Sequence, residues 1–253
     1  MKRIILIGAV LMLILALVVG CGKTQTEQKP TDPNEPTDER DPAQDEGNGE
    51  NEGDDPYIDV AYAQQINRYY TAISQKWDEG TCIDNGLSGQ LAYYYEGNPL
   101  DNVGFALKDL DGDDVFELII GAIKDAQNDP QVFEIWTLKD GNPVMLVQSG
   151  SRNRYYLQYS EDDGLWSVAY EAENGAANHA VYYLQLCDGE FQVTQGVIFD
   201  AVADKNNPWF LTYDLDWDVS NDESTDEELA NAIISAGRRL YTSIEYTPYT
   251  QYK

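Results

Sequence analysis

Four carboxylates stand at positions one, three, five and nine of the run Asp109-Leu110-Asp111-Gly112-Asp113-Asp114-Val115-Phe116-Glu117, as Asp109, Asp111, Asp113 and Glu117. Acids packed this closely repel one another unless a cation lies between them. A tightly curled loop turns alternate carboxylates inward, and a backbone carbonyl, here that of Val115, supplies a further oxygen. That donor set suits calcium, which takes about six to eight oxygens at roughly 2.3–2.6 Å. The cation expected here is a structural staple rather than a catalytic centre. The competing reading is a solvated acidic hairpin turn. An EF-hand is excluded, because its glycine at position six and glutamate at position twelve are replaced by Asp114 and Ile120, and β-rich segments rather than helices flank the loop.

With its flanks, Phe105 to Ile120, the loop resembles the DxDGDGxxEL calcium loops of integrin-type and related secreted β-domains. Asp114 stands where that pattern carries glycine, although Asp enters the left-handed region more readily than most residues. A second run, Asp214-Leu215-Asp216-Trp217-Asp218-Val219-Ser220-Asn221-Asp222, repeats the spacing with Asp214, Asp216, Asp218 and Asp222. Val219 sits where the turn wants a permissive residue, so this is the weaker metal candidate. If the run is a strand, its aspartates simply share a solvent face.

No catalytic residue is assigned. The chain has no Gly-x-Ser-x-Gly elbow and no phosphate-cradling loop, and the single histidine, His179, is expected to cap or fill a loop. One histidine and no CxxC pair leave zinc without ligands. Beyond Cys21, only Cys82 and Cys187 remain; they form either one bridge or, the expected case, two buried free thiols. The 18 tyrosines include the doublets Tyr69-Tyr70, Tyr155-Tyr156 and Tyr182-Tyr183. On a strand a doublet puts one ring on each face, one for the core and one for a sugar or peptide, or both for ordinary packing.

The elements that must position these residues form an α+β domain. Tyr62, Ile66, Tyr69, Ile73 and Trp77 recur with a helical period and predict a helix over 58–79, stopped by Gly80. A shorter helix is expected over 87–95. Strands follow near 103–108, 115–123, 132–138, 143–148, 154–159, 165–171, 180–186 and 190–199, joined by Asp-Gly turns that suit tight hairpins. Successive strands joined this way give an antiparallel meandering sheet. The recurrence of Leu138, Asp140 and Gly141 as Leu186, Asp188 and Gly189 is read as two similar hairpins rather than as a propeller repeat. Thr225 and Glu228 make a capping box for a C-terminal helix whose buried stripe is Leu229, Ile233, Ala236 and Leu240. An extended tail from Glu245 to Tyr249 is expected to pack along the domain.

Before this domain, at 57–253, the chain reads as a device for placing it. Lys2 and Arg3 precede an apolar run from Ile4 to Val19, closed by Val18-Val19-Gly20-Cys21. The run is short of the roughly 20 residues that cross a bilayer. It reads as a secretory signal, residues 1–20, with a lipid-attachment site. It resembles the lipobox of bacterial lipoproteins, which implies that Cys21 receives a diacylglycerol and a membrane anchor on the extracytoplasmic face. From Gly22 to Pro56 the sequence is rich in proline and acid and almost without large apolar side chains, so ordering it would not be offset by burial. It is expected to be a disordered spacer, reaching roughly 100 Å if extended at about 3 Å per residue.

The formal charge is −29, with 16 basic against 45 acidic residues. Nucleic acid and anionic lipid surfaces are poor partners for such a chain, and cations are expected ones. Taken together, the spacer, the helix, the acidic loop, the Asp-Gly hairpins and the capped C-terminal helix resemble a group of uncharacterised secreted lipoproteins of Gram-positive bacteria. The resemblance implies surface exposure and calcium binding. The expected function is a cell-surface lipoprotein with a non-catalytic binding or structural domain, contacting a cell-wall glycan or a surface protein. The alternatives are an envelope hydrolase acting on glycan or peptide, and an inhibitor or sensor of another surface protein.

Overall fold

The computed structural model describes residues 56–123, 130–162 and 164–252. The signal, Cys21 and most of the spacer lie outside them. Among the described residues no helix is long and apolar enough to cross a membrane.

The α+β expectation holds: eleven strands form one open antiparallel sheet, ordered β10-β9-β8-β7-β6-β5-β3-β2-β1-β11, with β4 also on β3. The strands are β1 (Val103–Lys108), β2 (Glu117–Ala122), β3 (Gln131–Lys139), β4 (Asn142–Gln148), β5 (Asn153–Tyr159), β6 (Trp166–Glu173), β7 (Asn178–Cys187), β8 (Glu190–Asp200), β9 (Trp209–Thr212), β10 (Glu223–Thr225) and β11 (Thr247–Pro248). The sheet forks at β3. One edge of β3 pairs with β2, while β4 takes the upper part of the other edge and β5 joins it only through Gln131↔Tyr156 and Val132↔Tyr155. Beyond the fork the two halves curl towards each other and share a core. Ile119, Ile135 and Val147 from one half meet Leu157, Val168, Leu184 and Ile198 from the other. The curl brings Lys108 of β1 over the ring of Trp166 and pairs Lys139 with Glu190 at 3.1 Å. The two Asp-Gly hairpins therefore touch. Asp140 and Asp188 both have positive φ ahead of a glycine that does too, as the tight hairpin requires.

Helix α1 (Pro56–Gln75) covers the outer face of β1–β3 with Tyr62, Ile66, Tyr69 and Ile73, the expected stripe. It ends earlier than expected. Lys76, not a glycine, takes the left-handed conformation (φ 50°), and Trp77 N–H donates back to Ala72. Gly80 instead lies inside α2 (Glu79–Asp84), whose N-cap Asp78 accepts from Thr81 N–H at 2.7 Å. The helix expected over 87–95 is a 3₁₀ turn, Gly89–Tyr94, capped by Ser88; one turn, α3 (Pro99–Asn102), leads into β1.

Helix α4 (Glu227–Arg238) covers the outer face of β7–β9. Its cap is Asp226, which accepts from Leu229 N–H at 2.8 Å, and not Thr225, whose backbone is committed to the β10–β9 ladder. Its buried face is Ala230, Ile233, Ile234 and Gly237, while Leu240 is exposed. Tyr183 selects that face. Its hydroxyl donates to the Ile233 carbonyl at 3.2 Å, and a Cβ on Gly237 would lie 2.2 Å from the Tyr183 hydroxyl. The tail packs along the domain as expected, with β11 on β1 and Tyr249 fully buried.

Three further expectations are decided or corrected. Cys82 is the buried free thiol expected, so no Cys82–Cys187 bridge forms, but Cys187 is not a free thiol. His179 lies on β7 and not in a loop, stacked on Phe199 at 4.7 Å. The strand tyrosine doublets are structural on both faces. Tyr155, Tyr170 and Tyr182 stack in series across the shared core, while Tyr156 stacks on Tyr241 and Tyr183 holds α4.

Candidate metal centre

The β1–β2 connection is built to gather carboxylates. Gly112 (φ 75°) and Asp114 (φ 70°) reverse the chain twice within it, and Leu110 anchors it by burying its side chain in the shared core. Such a burial contributes on the order of 2 kcal/mol. At its exit, Tyr62 of α1 donates to the Phe116 carbonyl at 3.0 Å. Glu117 then opens β2, a strand buried along its whole length, and is only 1% exposed.

Within this frame each acid has a distinct set of partners. Asp109 accepts from Gly112 N–H at 2.7 Å through one oxygen and from Asp114 N–H at 3.2 Å through the other. Asp113 accepts from Val115 N–H at 2.8 Å. Glu117 accepts from Leu110 N–H at 3.0 Å and from the Thr137 hydroxyl at 2.9 Å. Asp111 differs: its Oδ1 is buried and has no partner. Oxygens of Asp109, Asp111 and Glu117 lie within 4.8 Å of one another, so this triad could hold a metal ion. Asp113 lies beside the triad and close enough to raise the Asp111 pKa; the Val115 N–H, as distinct from its carbonyl, is what the Asp113 carboxylate engages.

The electrostatics follow from burial and like charge. Burial, then the neighbouring Asp113 and Asp109, pushes the Asp111 carboxyl up to about 6. Burial pushes Glu117 up to about 7, against the opposing pull of its two hydrogen bonds. No described lysine or arginine pairs with these acids. Among the described residues the only ion pairs are Lys139–Glu190 and Arg238–Glu171, and the neighbouring Lys108 sits over Trp166 instead. A buried carboxylate without a cation is costly, so it either takes up a proton or attracts an ion.

The second acidic run is neither a strand nor a converging site. β9 ends at Thr212, and the segment runs as a ladder of turns: Asp214 accepts from Asp216 N–H, Asp216 from Asp218 N–H and Asp218 from Ser220 N–H, at 3.2, 2.8 and 3.1 Å. Asp222 has one buried oxygen without a partner, and burial raises its pKa. Among the described residues Asp109, Asp111 and Glu117 form the one group of three such ligands that converges. Thr137, which fixes the Glu117 carboxylate from β3, has no sequence signal beyond being a polar residue on a buried strand. No protein-family model, curated protein or solved structure matches the chain.

Proposed function

We propose that this chain is a lipoprotein held by Cys21 at the extracytoplasmic face of a cell membrane, with a non-catalytic binding or structural domain stabilised by calcium in the β1–β2 loop. The observation that carries the ion is the buried, unpartnered Oδ1 of Asp111 beside Asp109 and Glu117, with no ion pair to a basic side chain among the described residues. The donors are all oxygens on a loop that can adjust around glycine, which favours calcium over zinc, a lover of nitrogen and sulfur, and over magnesium, which demands stricter geometry. Location rests on the Lys2-Arg3, apolar, Gly20-Cys21 sequence and on the acidic spacer after it.

Thermal unfolding with calcium and with EDTA tests the ion. A ligand at a hundredfold excess over its Kd stabilises by about 2.7 kcal/mol, or roughly 5–10 °C for a domain of this size. Coincident melting curves overturn the ion reading. Labelling of cells with radioactive palmitate tests the anchor: Cys21→Ser should lose both the label and the membrane fraction, and retention of both overturns it.

A further inference from the structure

On β5–β7, at the ends opposite Trp166 and Cys187, lies an open cavity of about 90 Å³. Three arginines line it, Arg152, Arg154 and Arg238, in a chain that is otherwise strongly acidic. In such a chain arginines would be expected to spread among the acids. Arg154 stands directly across the ladder from Glu171, yet the two make no ion pair. Glu171 is already engaged: one of its oxygens accepts from both Arg238 Nε and the Tyr241 hydroxyl, each at 2.8 Å. Arg152 and Arg154 are exposed and have no acidic partner among the described residues.

We infer that this cavity binds an oxyanion, a carboxylate or a phosphate, carried on a hydroxyl-bearing body such as a sugar. Two free guanidinium groups present the planar fork that matches carboxylate and phosphate oxygens in pairs. The volume decides what enters. Whole small-molecule ligands need roughly 300–1,000 Å³, so the cavity holds the anionic group while the rest of the ligand lies outside. Glu173, facing His179 across the ladder, can only accept hydrogen bonds when ionised, which matches a hydroxyl beside the anionic group. His179 lends a flat surface at the wall, backed by Phe199 and braced edge-on by Trp209. The site shares no residue with the metal triad.

Calorimetric titration of the full-length protein in calcium-free buffer with glucuronate, inorganic phosphate and glucose tests this. Saturable millimolar binding of glucuronate or phosphate, weakened about tenfold or more in Arg152→Gln/Arg154→Gln with the melting temperature unchanged, supports the site. Binding of only one of the two anions assigns it to carboxylates or to phosphates. Asp111→Asn should leave this binding intact whatever becomes of the calcium reading. Failure of both anions to saturate, equal binding in the double variant, or glucose binding as well as glucuronate, would overturn it.

Discussion

The β1–β2 loop and the β9–β10 loop carry acids at the same four positions, one, three, five and nine, and only the first draws three of them together. In the second, every early aspartate spends an oxygen on the amide two residues ahead, and no residue from Asp214 to Asp222 has positive φ. The chain there advances in small turns, and no three of its carboxylates converge. In the first, Gly112 and Asp114 take left-handed conformations, the loop doubles back, and Asp111 is left with an oxygen that no amide claims. The ninth positions differ too. Glu117 is the first residue of a central buried strand and is fixed by Leu110 and Thr137, whereas Asp222 follows a 3₁₀ turn, Val219–Asn221, near the sheet edge. Spacing selects which residues can meet; turn geometry and the strand that receives the last one decide whether they do.

That contrast is most sharply broken at Asp111. Asp111→Ala should abolish the calcium-dependent gain of roughly 5–10 °C in melting temperature, while Asp216→Ala should leave it whole. Next comes pH. Glu117 is held at about 7 against an ordinary 4.5, and Asp111 at about 6 against 3.8. An acid whose folded pKa is raised favours the folded state while protonated. Its contribution is fully present below the ordinary value and is lost as pH rises through the raised one. In EDTA, stability should therefore fall by on the order of 2 kcal/mol between about pH 5 and pH 8, and saturating calcium should flatten that slope by replacing the proton. Denaturant titrations across the range would show it.

A smaller effect is expected in the second loop. Asp218 caps its 3₁₀ turn through Ser220 N–H, so Asp218→Ala should lower the melting temperature by no more than about 2 °C, equally with and without calcium. The smallest sharpens the first loop. Asp114→Gly relieves a non-glycine residue of its positive φ, offset in part by the looser unfolded chain, and should tighten calcium about two- to threefold.

Much of the fold was legible before its geometry was seen, because period-two runs between Asp-Gly turns have few alternatives. All eight expected strands stand within two residues of their bounds, from β1 at Val103–Lys108 to β8 at Glu190–Asp200. What was missed depends on neighbours. β9, β10 and β11 are two to four residues long and exist through the strands they join. The face of α4 turned because Tyr183 needs the bare backbone of Gly237. In the site, the triad residues were readable from spacing, but Thr137 acts through strand register and leaves no local pattern. The arginine cavity was equally hidden, since Arg152 and Arg238 lie far apart in sequence and only the β5–β6 ladder and α4 bring them together.

The central claim is that the first loop, and not the second, is an ion site. Calorimetric titration of calcium into the metal-stripped full-length protein tests it most directly. The account predicts one saturable site, lost in Asp111→Ala and retained in Asp216→Ala. Absence of binding, or binding that survives Asp111→Ala and disappears with Asp216→Ala, would contradict it.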